Sequence, residues 1–149
     1  MILNKTAPNF ENLYIFLIIP RSNKSIHIAI NDNTKLSYIK EIFSNFYPYL
    51  QIEFYKINRS KFNASIANNK LDSSHKIGDI INTHLSGVLE MNPLDKVADV
   101  EIEILIRFGL SVLILKKYKL EQPNIIDDFS LKMLNEMGRS SFVEFYQRY

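Results

Sequence analysis

Apolar positions along this chain follow two periods, and the elements are marked where one period gives way to the other. Residues 25–30 alternate, with Ile26, Ile28 and Ile30 on one face and His27 and Ala29 on the other, the two-residue period of a half-buried strand. Asn31, Asp32 and Asn33 are turn formers, and Thr34 stands where a helix cap belongs. Leu36, Ile39, Phe43 and Phe46 then recur at helical spacing over residues 35–46. Pro48 ends that helix, because the residue before a proline is pushed out of the helical region. Leu50, Ile52 and Phe54 alternate with Gln51, Glu53 and Tyr55, which predicts a second half-buried strand.

The same order returns about 61 residues later. Residues 88–117, VLEMNPLDKVADVEIEILIRFGLSVLILKK, align with residues 26–56, IHIAINDNTKLSYIKEIFSNFYPYLQIEFYK. Ile28 pairs with Leu89, Ile30 with Met91, Leu36 with Val97, Ile39 with Val100, Phe43 with Ile104 and Tyr47 with Phe108. One residue is lost at the turn, after which Leu50, Ile52, Phe54 and Lys56 match Leu110, Val112, Ile114 and Lys116. Read alone, Val100 to Ile106 also alternates like a strand. The alignment with the first copy decides for helix, with Pro93 and Asp95 as start signals and Gly109 as a left-handed stop. The apolar run from Leu110 to Leu115 predicts a central strand.

The flanks carry weaker patterns. Residues 12–19 read as an additional N-terminal strand, hairpinned through 21–24, and residues 57–75 as a polar surface loop. Residues 77–85 read as a short helix closed by Gly87. Ser130 caps a C-terminal helix that carries Leu131, Met133, Leu134 and Met137. Together these elements predict one α+β domain over residues 1–149, a ferredoxin-like sandwich of two tandem β-α-β units with an extra N-terminal strand and a C-terminal helix.

Composition narrows the class. The chain is 46% hydrophobic with ten Phe and eight Tyr, enough apolar surface to offset the entropy of ordering a domain of this length. It has no cysteine, which removes disulfides, thiolate nucleophiles and Cys-ligated metal sites. The longest apolar run, within residues 13–20, falls far short of the roughly 20 residues of a membrane-spanning helix. A signal peptide is not expected there, since Lys5 is the only basic residue before it and Glu11 intrudes. The net charge of +2 is divided unevenly. Residues 1–70 hold nine Lys/Arg against four Asp/Glu, and residues 71–149 nine against twelve, an asymmetry suited to head-to-tail association or to steering a partner.

Four segments, FSNFYPYLQIEFYK (43–56), KIGDI (76–80), FGLSVLILKK (108–117) and DDFSLKMLNEMG (127–138), resemble a family of small uncharacterised proteins common in Bacteroidetes. Its members read EFNxxFPxLxIEFF, FGLxVQVFRKSG and TDDWTLxxQNxxG. Phe129 stands where that family has Trp, Leu115 and Lys116 replace a Phe-Arg step, and residues 1–24 are an addition. The resemblance implies a cytoplasmic bacterial protein. It transfers no catalytic, cofactor or metal residues.

Candidate chemistry is sparse. The four glycines, Gly78, Gly87, Gly109 and Gly138, are not spaced as a phosphate-binding loop. Asp72, His75 and Asp79 sit three and four apart, and His27 and His84 complete the histidines. No metal motif matches them, and they read as loop and helix-start residues. Asp127 and Asp128 precede Ser130 and read as charges at a helix N-terminus, and Glu101 and Glu103 as the solvated side of a helix. No catalytic, cofactor or metal residue is therefore assigned.

Three functional readings remain. The first is a non-catalytic module that self-associates or docks a protein partner through Phe142, Phe145, Tyr146 and Tyr149, the apolar surplus of the C-terminus. The alternative is a nucleic-acid-binding domain that uses the sheet face, with Tyr55 and Tyr118 as stacking platforms and Lys56, Arg59, Lys116, Lys117 and Lys119 as phosphate contacts. The third is an enzyme of unrecognised class.

Overall fold

The computed structural model describes residues 24–56, 69–81, 86–117 and 128–147. Their order is β1 (Ile26–Ile30), α1 (Leu36–Phe46), β2 (Leu50–Tyr55), α2 (Ile77–Ile80), β3 (Gly87–Met91), α3 (Val97–Phe108), β4 (Ser111–Lys116) and α4 (Leu131–Gln147). The expected strand at 12–19, residues 57–68 of the expected loop and the segment 82–85 lie outside the described residues. The ambiguous stretch 97–108 is a helix. It stops at Gly109, whose φ of 66° is the left-handed conformation that a residue without Cβ adopts most readily.

The fold is α+β, with the element order of a ferredoxin-like sandwich. The strands form two antiparallel ladders. β1 pairs with β3, from Ile26 opposite Met91 to Ile30 opposite Gly87, and β2 pairs with β4, from Leu50 opposite Lys116 to Tyr55 opposite Ser111. α1 packs on β2 and β1, α3 on β4, and α4 across β4 and β2. One buried cluster joins all of them. Ile26, Ile28, Ile30, Leu89 and Met91 come from the first ladder; Leu50, Ile52, Phe54, Val112 and Ile114 come from the second. Leu36, Ile39, Phe43, Val97, Val100, Ile104 and Phe108 come from the helices.

The registers give the duplication a geometry. In the first ladder Ile28 lies opposite Leu89, its own counterpart in the repeat. In the second, Glu53 lies opposite Leu113, the same 60-residue offset that relates Ile52 to Val112. An antiparallel pair has a local twofold axis through any directly opposed residues. When those residues are repeat counterparts, the axis carries one copy onto the other, as in an isologous dimer.

The hydrogen bonds that start each copy agree with this. The Asn31 N–H donates to Thr34 Oγ1 (3.0 Å) and the Asn92 N–H to Asp95 Oδ2 (2.8 Å). The Leu36 N–H donates to the His75 carbonyl (3.0 Å) and the Val97 N–H to the Phe129 carbonyl (2.9 Å). The Ile77 N–H reaches the Thr34 carbonyl (2.9 Å) as the Leu131 N–H reaches that of Asp95 (3.0 Å). Bridges Lys35–Lys76 and Lys96–Ser130 complete the match. Each copy therefore runs on from its second strand to a crossing segment, at 76–80 in one and 130–134 in the other.

Three local expectations change. Thr34 does not cap α1: its hydroxyl closes the preceding turn, and Lys35 occupies the N-cap without a side-chain bond. The helix expected over 77–85 is the single turn Ile77–Ile80, and Gly87 begins β3 instead of closing that helix. Ser130 does cap α4, its Oγ accepting from the Met133 N–H at 3.1 Å. That helix continues through Phe142 to Gln147.

Candidate functional site

The second ladder was the expected nucleic-acid surface, and its register separates the residues assigned to it. Opposed residues of an antiparallel pair share a face. Leu50–Lys116, Ile52–Ile114 and Phe54–Val112 thus look inward, while Gln51–Leu115, Glu53–Leu113 and Tyr55–Ser111 look outward. Lys116 is consequently a core-facing lysine, only 7% exposed, with Nζ 3.4 Å from Ser141 Oγ on α4. Lys117 is exposed, although partial burial still lowers the pKa of its ammonium. Tyr55 is half-buried and Lys56 exposed, but both lie at the opposite end of the ladder from Lys116, about 17 Å away at 3.4 Å per residue. Arg59, Tyr118 and Lys119 lie outside the described residues.

Between those ends the outward face is closed by charge. Glu53, 8% exposed, receives Lys40 Nζ at 2.7 Å and Lys70 Nζ at 3.3 Å, and Lys40 also donates to Ser73 Oγ at 3.0 Å. This pairing neutralises the carboxylate at the centre of the ladder and ties α1 and the 70–73 segment to β2.

The expected interface residues lie on the last turns of α4. The first half of that helix is anchored. Leu131 and Leu134 are buried, Asn135 Oδ1 accepts the Tyr49 N–H at 3.1 Å, and Gly138 meets the Tyr49 backbone so closely that a Cβ would come within 2.8 Å of its carbonyl oxygen. Beyond Gly138, Phe142 packs on Tyr49 with ring centroids 5.6 Å apart, and Tyr146 on Phe142 at 4.5 Å. Phe142 is thus partly spent on seating the helix, while Val143 is exposed and Tyr146 is 59% exposed. The Phe145 side chain and Tyr149 lie outside the described residues.

A second apolar surface was missed from sequence. On α3, Ile102, Leu105 and Ile106 point away from the core and are 52%, 42% and 76% exposed. Their spacing of three and four places them on one face. The helix read from its core positions Val97, Val100, Ile104 and Phe108 already left those three residues facing solvent, but Glu101 and Glu103 alone were assigned to the solvated side.

The described surface also has an open hollow of about 270 Å³ lined by Glu90, Asn92, Asp95, Asp99, Val100 and Glu103. Much of its polarity is already engaged. Asp95 closes the 92–95 turn, Asn92 bonds Ser25, and Glu103 pairs with Arg107 at 2.9 Å. Asp72, His75 and Asp79 stand in a turn and at the start of α2, where Asp72 Oδ1 accepts the Ser74 N–H at 2.9 Å. That bond holds the Asp72 carboxyl below its ordinary pKa. Among the described residues no three His, Asp or Glu side chains gather as metal ligands, and His84 and Asp127 lie outside them. No described helix is long and apolar enough to cross a membrane.

Comparison with known proteins returns no matching family model, no similar curated protein and no similar solved structure.

Proposed function

We propose that this protein is a non-catalytic interaction module that acts by associating with a second copy of itself. One observation carries the reading. Large apolar side chains (Ile102, Leu105 and Ile106 on α3, Val143 and Tyr146 on α4) stand on the outer faces of two helices while the core beneath them is closed. Apolar groups left in water are stabilised when a partner covers them, at roughly 25 cal/mol per Å². Membership of the Bacteroidetes family and a cytoplasmic location form part of the same proposal and rest on the motif resemblance.

The test is light scattering coupled to gel filtration of the full chain across a concentration series. The ratio of absorbance at 260 and 280 nm is recorded at low and high salt. Self-association gives a mass that rises from monomer toward dimer with a protein-like ratio at both salts. Excess absorbance at 260 nm that high salt strips away would instead identify a nucleic-acid binder, because phosphate contacts release counterions and weaken with salt.

A further inference from the structure

We propose that residues 69–72 are a strap over the edge of β2, latched by the Glu53 carboxylate and released when that carboxylate is neutralised. The strap is a short added strand. The Lys56 N–H donates to the Asn69 carbonyl and the Leu71 N–H to the Phe54 carbonyl, both at 2.8 Å, and Tyr55 bridges Lys70 between them. With the strap in place these main-chain groups of β2 are paired; without it they form an open strand edge. One end is fixed, since the Ser73 carbonyl accepts the Ser37 N–H at 2.9 Å. Release is therefore a local swing that begins before Ser73.

Charge decides whether the strap stays. Glu53 Oε2 accepts from Lys40 Nζ on α1 and from Lys70 Nζ on the strap. Two ammonium groups that share one oxygen lie within about 6 Å of each other, so neutralising Glu53 turns a double attraction into repulsion. Lys40 belongs to a helix held by Leu36, Ile39 and Phe43, all fully buried. Lys70 is half exposed and Asp72 is exposed, so the strap is the side that yields. The face of the ladder around Glu53 holds Gln51, Tyr55, Ser111, Leu113 and Leu115, and no carboxylate among them takes over. Asp72 also feels Lys40 and His75, but from an exposed position where salt and water screen it.

The internal repeat supplies the control. Glu101 stands in place of Lys40 and Leu113 in place of Glu53, and α3 and β4 form all the same. The fold does not need this charge, and a buried ion pair is no better for stability than apolar packing. What the pair adds is a dependence on protonation. The strap is held while Glu53 is ionised and lost as pH falls through the carboxylate range.

Native-state hydrogen exchange on the full chain, followed residue by residue, tests this. The reporters are the Lys56 and Leu71 amides, and the reference is the amides of the β1–β3 ladder. Between pH 7 and pH 3 the protection of the reporters relative to the ladder should fall about tenfold in the wild type. Glu53→Gln should show the lowered ratio already at pH 7 and no further change in acid. Asp72→Asn should keep the wild-type fall. A wild-type ratio that does not move with pH, a Glu53→Gln ratio like that of the wild type at pH 7, or a fall abolished by Asp72→Asn overturns the latch. If Glu53→Gln fails to fold, Lys70→Gln decides. It removes the repelling ammonium at a half-exposed position, so its ratio should change less than about threefold with pH; a full wild-type fall there overturns the latch.

Discussion

The two copies of the repeat begin alike and end differently. Each opens with a strand that pairs with its counterpart, then a turn in which the first N–H donates to a side-chain oxygen three residues on, then a lysine at the helix N-cap. From there the helices share inward faces and diverge outward. α1 has Tyr38 and Ile42 where α3 has Asp99 and Glu103, and Glu41, Ser44 and Asn45 where α3 has Ile102, Leu105 and Ile106. The hollow lined by Glu90, Asp95, Asp99 and Glu103 corresponds in the first copy to Ala29, Thr34, Tyr38 and Ile42. Packing fixes the positions that face the shared core, and the outward positions were left to specialise.

Substitutions at the internal axis should have the largest effect. Ile28→Ala and Leu89→Ala each leave a cavity in the cluster and should cost about 3 kcal/mol in chemical denaturation. Since the two residues lie opposite each other, the double variant should depart from the sum by about 0.5 kcal/mol or more. Strict additivity would mean that they do not share one packed site.

Glu53 and Leu113 form the second axial pair, and here the copies differ in charge. Glu53→Gln removes the charge that Lys40 and Lys70 share. The expected cost is about 2 kcal/mol, below that of breaking a fully buried pair because Lys70 is half exposed. An unchanged denaturation midpoint would show that the lysines are satisfied without it.

Tyr47 and its counterpart Phe108 give a smaller contrast of opposite sign. Tyr47 is fully buried, and its hydroxyl has no hydrogen-bond partner among the described residues. Burial, reinforced by the Asp95 carboxylate, raises its pKa well above the ordinary 10.0. Tyr47→Phe, which imports the second copy's residue, should stabilise the protein by about 1 kcal/mol near neutral pH. The folded state holds the phenol proton more tightly than the unfolded state does. Wild-type stability is therefore intact below pH 10 and falls as pH rises beyond it, while the variant lacks this loss. Melting curves of both proteins at pH 7 and above pH 10 check the sign, and a gap that narrows at high pH would contradict it.

Much of this fold was legible because its strands and helices keep clean periods and because the first copy disambiguates the second. Ile26, Ile28 and Ile30 needed nothing beyond alternation, and Gly109 marked the stop of α3. The pairing of β2 with β4 was not legible, since opposing residues are set by long-range register and leave no local signal. Lys116 shows a signal present but outweighed. Val112, Ile114 and Lys116 alternate onto the core face, yet the flanking Lys117 and Lys119 made the segment read as a basic run. The outer face of α3 was legible once 97–108 was read as a helix, but Glu101 and Glu103 marked that side as solvated and drew attention from Ile102, Leu105 and Ile106.

The most direct measurement uses the absence of cysteine in the chain. Leu105→Cys places one thiol on the exposed outer face of α3, and Ser44→Cys places one at the matching position of α1. Under mild oxidation the account expects Leu105→Cys to form a disulfide-linked dimer in high yield while Ser44→Cys stays monomeric. Equal crosslinking of the two, or crosslinking at position 44 alone, would contradict the claim that the outward face of the second copy is what this protein uses to find itself.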